Sequence, residues 1–142
     1  MTIRTITDVE FGAQLPVFTP DTSLSSTSTF AEAVGWGGGG RGGRFSDHDA
    51  AKKEGLPGAL VPGIMAMGFL TSMIHSWSEA ADVRHIDTVF RAPLLADDPC
   101  HIDGVVTDID EATGIVQLDL TVKNEKDETR VFGTADVRLP LG

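Results

Sequence analysis

Basic residues are scarce in this chain: 11 Lys and Arg stand against 21 Asp and Glu in 142 residues, a formal charge of −10 spread along the sequence. A nucleic acid or an anionic membrane surface would be repelled across most of such a molecule, so neither is expected as a partner. Cysteine is nearly absent. Cys100 alone cannot close an internal disulfide, and no Cys/His spacing suggests a metal. The first ten residues carry Arg4, Asp8 and Glu10 and lack the apolar core of a signal peptide. A membrane span is missing too. The uncharged run from Leu56 to Ile74 contains Pro57, Pro62, Gly58, Gly63 and Gly68, so its helical part begins near Pro62. About 14 helical residues at ~1.5 Å each reach ~21 Å, short of a ~30 Å hydrocarbon core. These absences point to a soluble chain of the reducing cytoplasm.

Hydrophobic residues make up 41 % and charged residues 23 %, enough for a buried core in one domain spanning residues 1–142. Gln14 to Pro20 reads as a short strand, Thr22 to Thr29 as a Ser/Thr-rich connection and Thr29 to Val34 as a short helix stopped by Gly35. Seven glycines between Gly35 and Arg44 make that stretch a loop. Asp49 to Glu54 is a second short helix, followed by the turn Leu56-Pro57-Gly58. Val61 to Trp77 is then a long helix, apolar nearly all round and therefore expected to be wrapped on several sides. Arg84–Leu94, Cys100–Asp108, Gly114–Lys123 and Thr129–Leu139 alternate or run apolar with many Val and Ile, as strands do. Four strands with short connections predict an antiparallel meander filled by the apolar helix, an α+β arrangement.

The glycine loop contains GxGxxG at Gly35, Gly37 and Gly40, yet a short helix precedes it and further glycines follow. A dinucleotide loop needs a strand before and a helix after, and a phosphate-binding loop needs Lys and Ser/Thr where Arg41-Gly42 stand. No cofactor is implied. A mobile lid over a pocket is one reading of the loop, and a flexible segment without a role is another. Asp47-His48-Asp49 places an imidazole between two carboxylates and could form a proton-transfer pair. The same residues suit a helix N-terminus, with Ser46 or Asp47 capping free N–H groups. The repeated His-Ile-Asp at 85–87 and 101–103 could bring four metal-binding groups together if the two strands were neighbours in register. Solvated sheet faces, with Ile86 and Ile102 turned to the core, explain the repeat equally simply.

From Asp47 to Phe69 the sequence DHDAAKKEGLPGALVPGIMAMGF resembles the MaoC-like acyl dehydratases, or (R)-specific enoyl-CoA hydratases. That family reads G-D-x-N-P-x-H-x-D, a short helix, G-[LF]-x-x-x-[IV]-x-[HP]-G and an apolar helix. Asp47 fits the final acid of the first block, Gly55-Leu56-Pro57-Gly58 the turn, and Val61-Pro62-Gly63-Ile64-Met65 the helix entry; Phe90-Arg91-Ala92-Pro93-Leu94 resembles the strand that follows. The resemblance implies a hotdog fold, an antiparallel sheet around one long helix, commonly dimeric, with an acyl-thioester tunnel near the subunit interface. It also implies an Asp and a His five residues later that activate water. Counted back from Asp47 these fall on Gly40 and Phe45, and neither moves a proton. Gly63 matches the position whose backbone N–H polarises the thioester carbonyl. Thioesterases and acyl-carrier dehydratases of the same fold place an acid on the central helix, but Gly63 to Ser78 contains none.

The expectation is therefore an acyl-thioester-binding protein of hydratase/dehydratase type, with lyase, isomerase or cyclase chemistry in place of ordinary hydration. Asp47 and His48 are its candidate catalytic groups, and Arg41, Arg44, Phe45, Pro62 and Gly63 its candidate binding residues. A non-catalytic subunit pairing with a homologue that carries the dyad is the alternative, and a structural or ligand-sensing dimer a third. A homodimer, or a heterodimer with such a homologue, is the expected assembly.

Overall fold

The computed structural model describes residues 2–36 and 43–142. Helix α1 spans Leu24–Ala33, α2 Gly43–Ser46, α3 His48–Lys53 and α4 Gly63–Trp77. Strands β1 (Asp82–Phe90), β2 (Cys100–Asp110), β3 (Ile115–Asn124) and β4 (Thr129–Arg138) form one antiparallel sheet. Its order is β1-β4-β3-β2. The expected meander thus holds for β2, β3 and β4, whereas β1 lies beside β4, at the far edge from β2. The connection from β1 to β2 must cross the sheet, and it is tied down on the way: Val61 N–H donates to Leu94 C=O at 2.8 Å and Ala96 N–H to Ala59 C=O at 2.8 Å.

This order also separates the two His-Ile-Asp segments. His85 and Asp87 sit on one sheet edge and His101 and Asp103 near the other, so the four groups do not converge. His101 instead lies 3.6 Å from Asp103 and 3.5 Å from Asp127.

Alternation along β2 and β3 buries Ile102, Val106, Val116, Leu118, Leu120 and Val122 on one face, and α4 lies across it with Met65, Ala66, Leu70, Met73 and Ile74. Gly104 makes this approach feasible. A Cβ there would come within 3.1 Å of Leu120, 3.2 Å of Met73 and 3.3 Å of Leu15. The cover expected on several sides leaves a gap at the N-terminal half of the helix, where Ile64 is 48 % exposed and Gly68 is open. Its C-terminal end is fixed by Ser78, whose buried hydroxyl donates to Ile3 C=O at 2.7 Å.

Two further expectations need correction. The Ser/Thr-rich stretch is not a connection but most of α1. Ser23 caps it by accepting Ser26 N–H at 3.1 Å, and the hydroxyls of Thr27 and Thr29 donate to Leu24 and Ser25 carbonyls within the helix. The strand expected over residues 14–20 is reduced to isolated bridges, Gln14 with Val105 and Phe18 with Ile102. Pro16 and Pro20 lack the N–H that a ladder needs. Even so, Gly12, Ala13, Leu15 and Phe18 exchange backbone bonds with Ile102, Gly104 and Val106, so the β2 edge is covered. Among the described residues no such segment covers β1. Among the described residues, no helix is long and apolar enough to cross a membrane.

Candidate functional site

Pro62 fixes the entry to α4 and Gly63 opens it. The first N–H groups of a helix have no partner within it and carry the positive end of its dipole, so Gly63 presents a donor with a favourable field. Above it lies the ring of Phe90, the last residue of β1. A Cβ at position 63 would meet three ring carbons at 3.3, 3.4 and 3.5 Å. Only glycine leaves the ring and the helix start this close without pressure.

A pocket of about 270 Å³ opens here, lined among others by Phe45, Leu60, Val61, Gly63, Phe90, Arg91, Leu94 and Val131. Apolar side chains dominate it, and among the described residues Arg91 is the one charged residue in the lining. Phe45 belongs to α2 and is held by a run of aromatic contacts. Its ring stacks on Trp36 at 5.2 Å and 30°, and Trp36 meets Phe30 of α1 edge-on at 6.4 Å. A larger cavity of about 430 Å³ lies around Asp8, Glu10, Ser76 and Trp77 at the other end of α4. It lies at the C-terminal end of α4, where the helix dipole presents its negative end, and Asp8 and Glu10 line it.

The other residues singled out in the sequence build the frame of this pocket. Pro62 is buried between the lining residues Val61 and Gly63 in the chain and is not itself in the lining. Arg44 pairs with Glu54 at 3.1 Å, and its carbonyl accepts Leu60 N–H at 2.8 Å, which ties α2 to the strand-like segment before α4. Asp47 Oδ1 accepts the N–H groups of Asp49 and Ala50 at 2.8 and 3.3 Å and so caps α3. His48 uses both ring nitrogens. Nδ1 accepts the Ala59 N–H at 3.0 Å, which fixes the proton on Nε2, and Nε2 donates to Asp97 Oδ2 at 2.7 Å. Asp97 Oδ1 in turn accepts Leu24 N–H at 2.8 Å, so one carboxylate joins α1, α3 and the β1–β2 connection. The hydrogen bond from His48, and then that from Leu24, holds the Asp97 carboxyl below its ordinary 3.8. Arg41 and Gly40 lie outside the described residues.

The structure thus brings Phe45 and Gly63 to one pocket and places Pro62 and the Arg44 backbone behind them. Asp47 and His48 are not in its lining. Sequence reasoning did not single out Arg91, Phe90 or Trp36 as pocket residues. The Phe90-Arg91-Ala92-Pro93 segment was visible as a motif, but its facing Gly63 depends on β1 running beside β4 toward the start of α4. Trp36 carried no local signal, because it sits beside the glycine-rich stretch.

No known family profile matches the chain, and no curated protein sequence matches it. Solved structures do. An (R)-hydratase of Pseudomonas aeruginosa superposes with a TM-score of 0.86 at 16 % identity, over 97 % of this chain and 86 % of that one. A chain of the ChsH1–ChsH2 complex of Mycobacterium tuberculosis gives 0.80 at 19 %, over 92 % and 98 %. A chain of the HadBC complex of the same organism, a (3R)-hydroxyacyl-ACP dehydratase, gives 0.69 at 16 %, over 89 % and 96 %. The chain has the hotdog fold of the MaoC-like dehydratases and (R)-hydratases.

Proposed function

We propose that this chain binds an acyl thioester, or a carbonyl compound of similar shape, with the carbonyl oxygen on the Gly63 N–H and the acyl group among Phe45, Leu60, Phe90 and Leu94. The observation that carries the reading is the apolar pocket opening on the first residue of α4, with Phe45 in the wall where the family resemblance places a proton-transferring histidine. The apolar lining of this pocket suits an acyl group. A donor aimed at the carbonyl in a water-poor site polarises it, and this effect does not need the missing dyad. Asp47 and His48 serve as positioning residues in this reading, since capping of α3 and the bonds to Ala59 and Asp97 occupy them. Any proton transfer then differs from the addition of water by an Asp/His pair.

The test is hydration of crotonyl-CoA. The unmodified protein is expected to show no turnover at the rate of an (R)-hydratase, because general acid–base groups contribute ~10²–10⁴-fold. Gly40→Asp with Phe45→His should introduce measurable hydration, and either change alone much less. Robust hydration by the unmodified protein would contradict the reading.

Assembly favours a second form of the same proposal. Strand β1 is an open sheet edge with Val89 and Phe90 48 % and 49 % exposed. An edge in this state suits pairing with another β1, from a second copy or from a homologue. Two of the structural neighbours are chains of two-component complexes. Hydration that arises only when the chain is mixed with a dyad-bearing homologue would identify it as the supporting subunit of a pair.

A further inference from the structure

Arg91 stands out in a chain with nearly two acids for every base. Arg44, Arg84 and Arg130 are paired with Glu54, Asp82 and Glu128, and Arg138, which is not, lies away from the Gly63 pocket. Among the described residues the Arg91 guanidinium has no ion pair and no hydrogen bond, although acids are abundant. Its backbone is nevertheless fixed: the N–H groups of Arg91 and Ala92 both donate to Arg130 C=O at 3.0 Å. This anchors the residue directly after Phe90, whose ring covers Gly63, and sets the side chain in the lining of the pocket. Among the described residues no carboxylate shares that lining. At this opening of an otherwise acidic molecule an unpaired guanidinium and the start of α4 therefore lie together.

We propose that Arg91 is the specificity-determining anion anchor of the pocket: it selects carbonyl ligands that carry a phosphate or carboxylate group at the outer end. The proposal rests on the reading of the Gly63 pocket given above and adds the charge of the ligand to it. Guanidinium offers paired donors to either anion, so the same chemistry serves a phosphate on the thiol side of a thioester or a carboxylate on its acyl side.

Three probes separate these sources by calorimetric titration: butyryl-CoA, the uncharged butyryl thioester of N-acetylcysteamine, and the succinyl thioester of N-acetylcysteamine. Arg91→Gln keeps the backbone bonds to Arg130 and should leave the melting temperature unchanged. It should weaken at least one anionic probe about tenfold and leave the uncharged thioester unaffected. Loss on butyryl-CoA assigns a phosphate, and loss on the succinyl thioester a carboxylate. Arg91→Lys should restore part of the affinity, and the wild-type preference should fall with salt. Equal losses on charged and uncharged probes, or no loss on either anion, would overturn the proposal. If no thioester binds the wild type, the Gly63 reading fails. Free CoA and succinate then still decide the role of Arg91: binding abolished by Arg91→Gln supports it, and absence of binding overturns it.

Discussion

At the scale of single residues, His48 and Asp97 hold the pocket wall, and their energetics differ. Ala59 is fully buried, and its N–H has His48 Nδ1 as acceptor. His48→Ala leaves that donor unsatisfied, which costs about 1–3 kcal/mol. Chemical denaturation should show a loss of that size, and an unchanged midpoint would mean the clamp is redundant. Asp97 acts through pH. A carboxyl held below 3.8 in the folded chain contributes stability that is complete above that value and is lost as pH falls through the lowered one. Asp97→Asn should therefore lower the melting temperature at neutral pH and flatten its decline below pH ~4. A profile parallel to that of wild type across the acid range would show that the bond to His48 is not linked to folding. Asp47-His48-Asp49 drew attention in the sequence because an imidazole between acids is a chemical motif. The three-dimensional partners, Ala59 and Asp97, lie 11 and 49 residues away and decide which use is made of it.

Elements obey their own constraints. Helix α4 packs its Met65–Leu70–Met73–Ile74 side on the sheet, and Leu70 has no exposed surface. Leu70→Asp buries a carboxylate without a partner, a cost of several kcal/mol against a typical total of ~5–15. The variant should fail to give a cooperative melt by circular dichroism; a wild-type transition would remove α4 from the core. Gly133 limits the sheet in a different way, since a Cβ there would overlap the Asp87 carbonyl and press β1 from β4. Gly133→Ala should destabilise by about 1–3 kcal/mol, the usual cost of overpacking, and faster amide exchange in β1 would locate the damage. The strands and α4 were legible because β-branched alternation and an uncharged apolar run are strong local signals. Helix α1 was legible only in its second half, since Ser and Thr favour caps and turns until their hydroxyls find helix carbonyls. The place of β1 beside β4 could not be read from connection lengths: the 91–99 segment is short enough for a hairpin, but its bonds at Leu94 and Ala96 lead it across the start of α4.

At the scale of the whole molecule, one sheet edge is covered and, among the described residues, the other is not. A chain with β1 open and Val89 and Phe90 exposed should sediment as a dimer at micromolar concentration, and a monomer at all concentrations would contradict pairing through this edge. The pocket lies beside that edge, since Phe90 ends β1, so assembly and ligand binding are expected to be coupled. Gly63 was legible as the residue opening α4 through the motif that precedes the helix, whereas the place of Phe45 in the pocket wall depends on its tertiary contact with Trp36, and that of Trp36 on Phe30. The central claim, a thioester carbonyl bound at the start of α4 without dyad hydration, is tested most directly by titrating crotonyl-CoA into wild type and Gly63→Ala. The added methyl points at the Phe90 ring, 3.3 Å away. Wild type is expected to bind saturably with the double bond intact, and Gly63→Ala to lose tenfold or more in affinity while still melting cooperatively. Equal affinity of the two proteins, or consumption of the double bond by wild type, would contradict that claim.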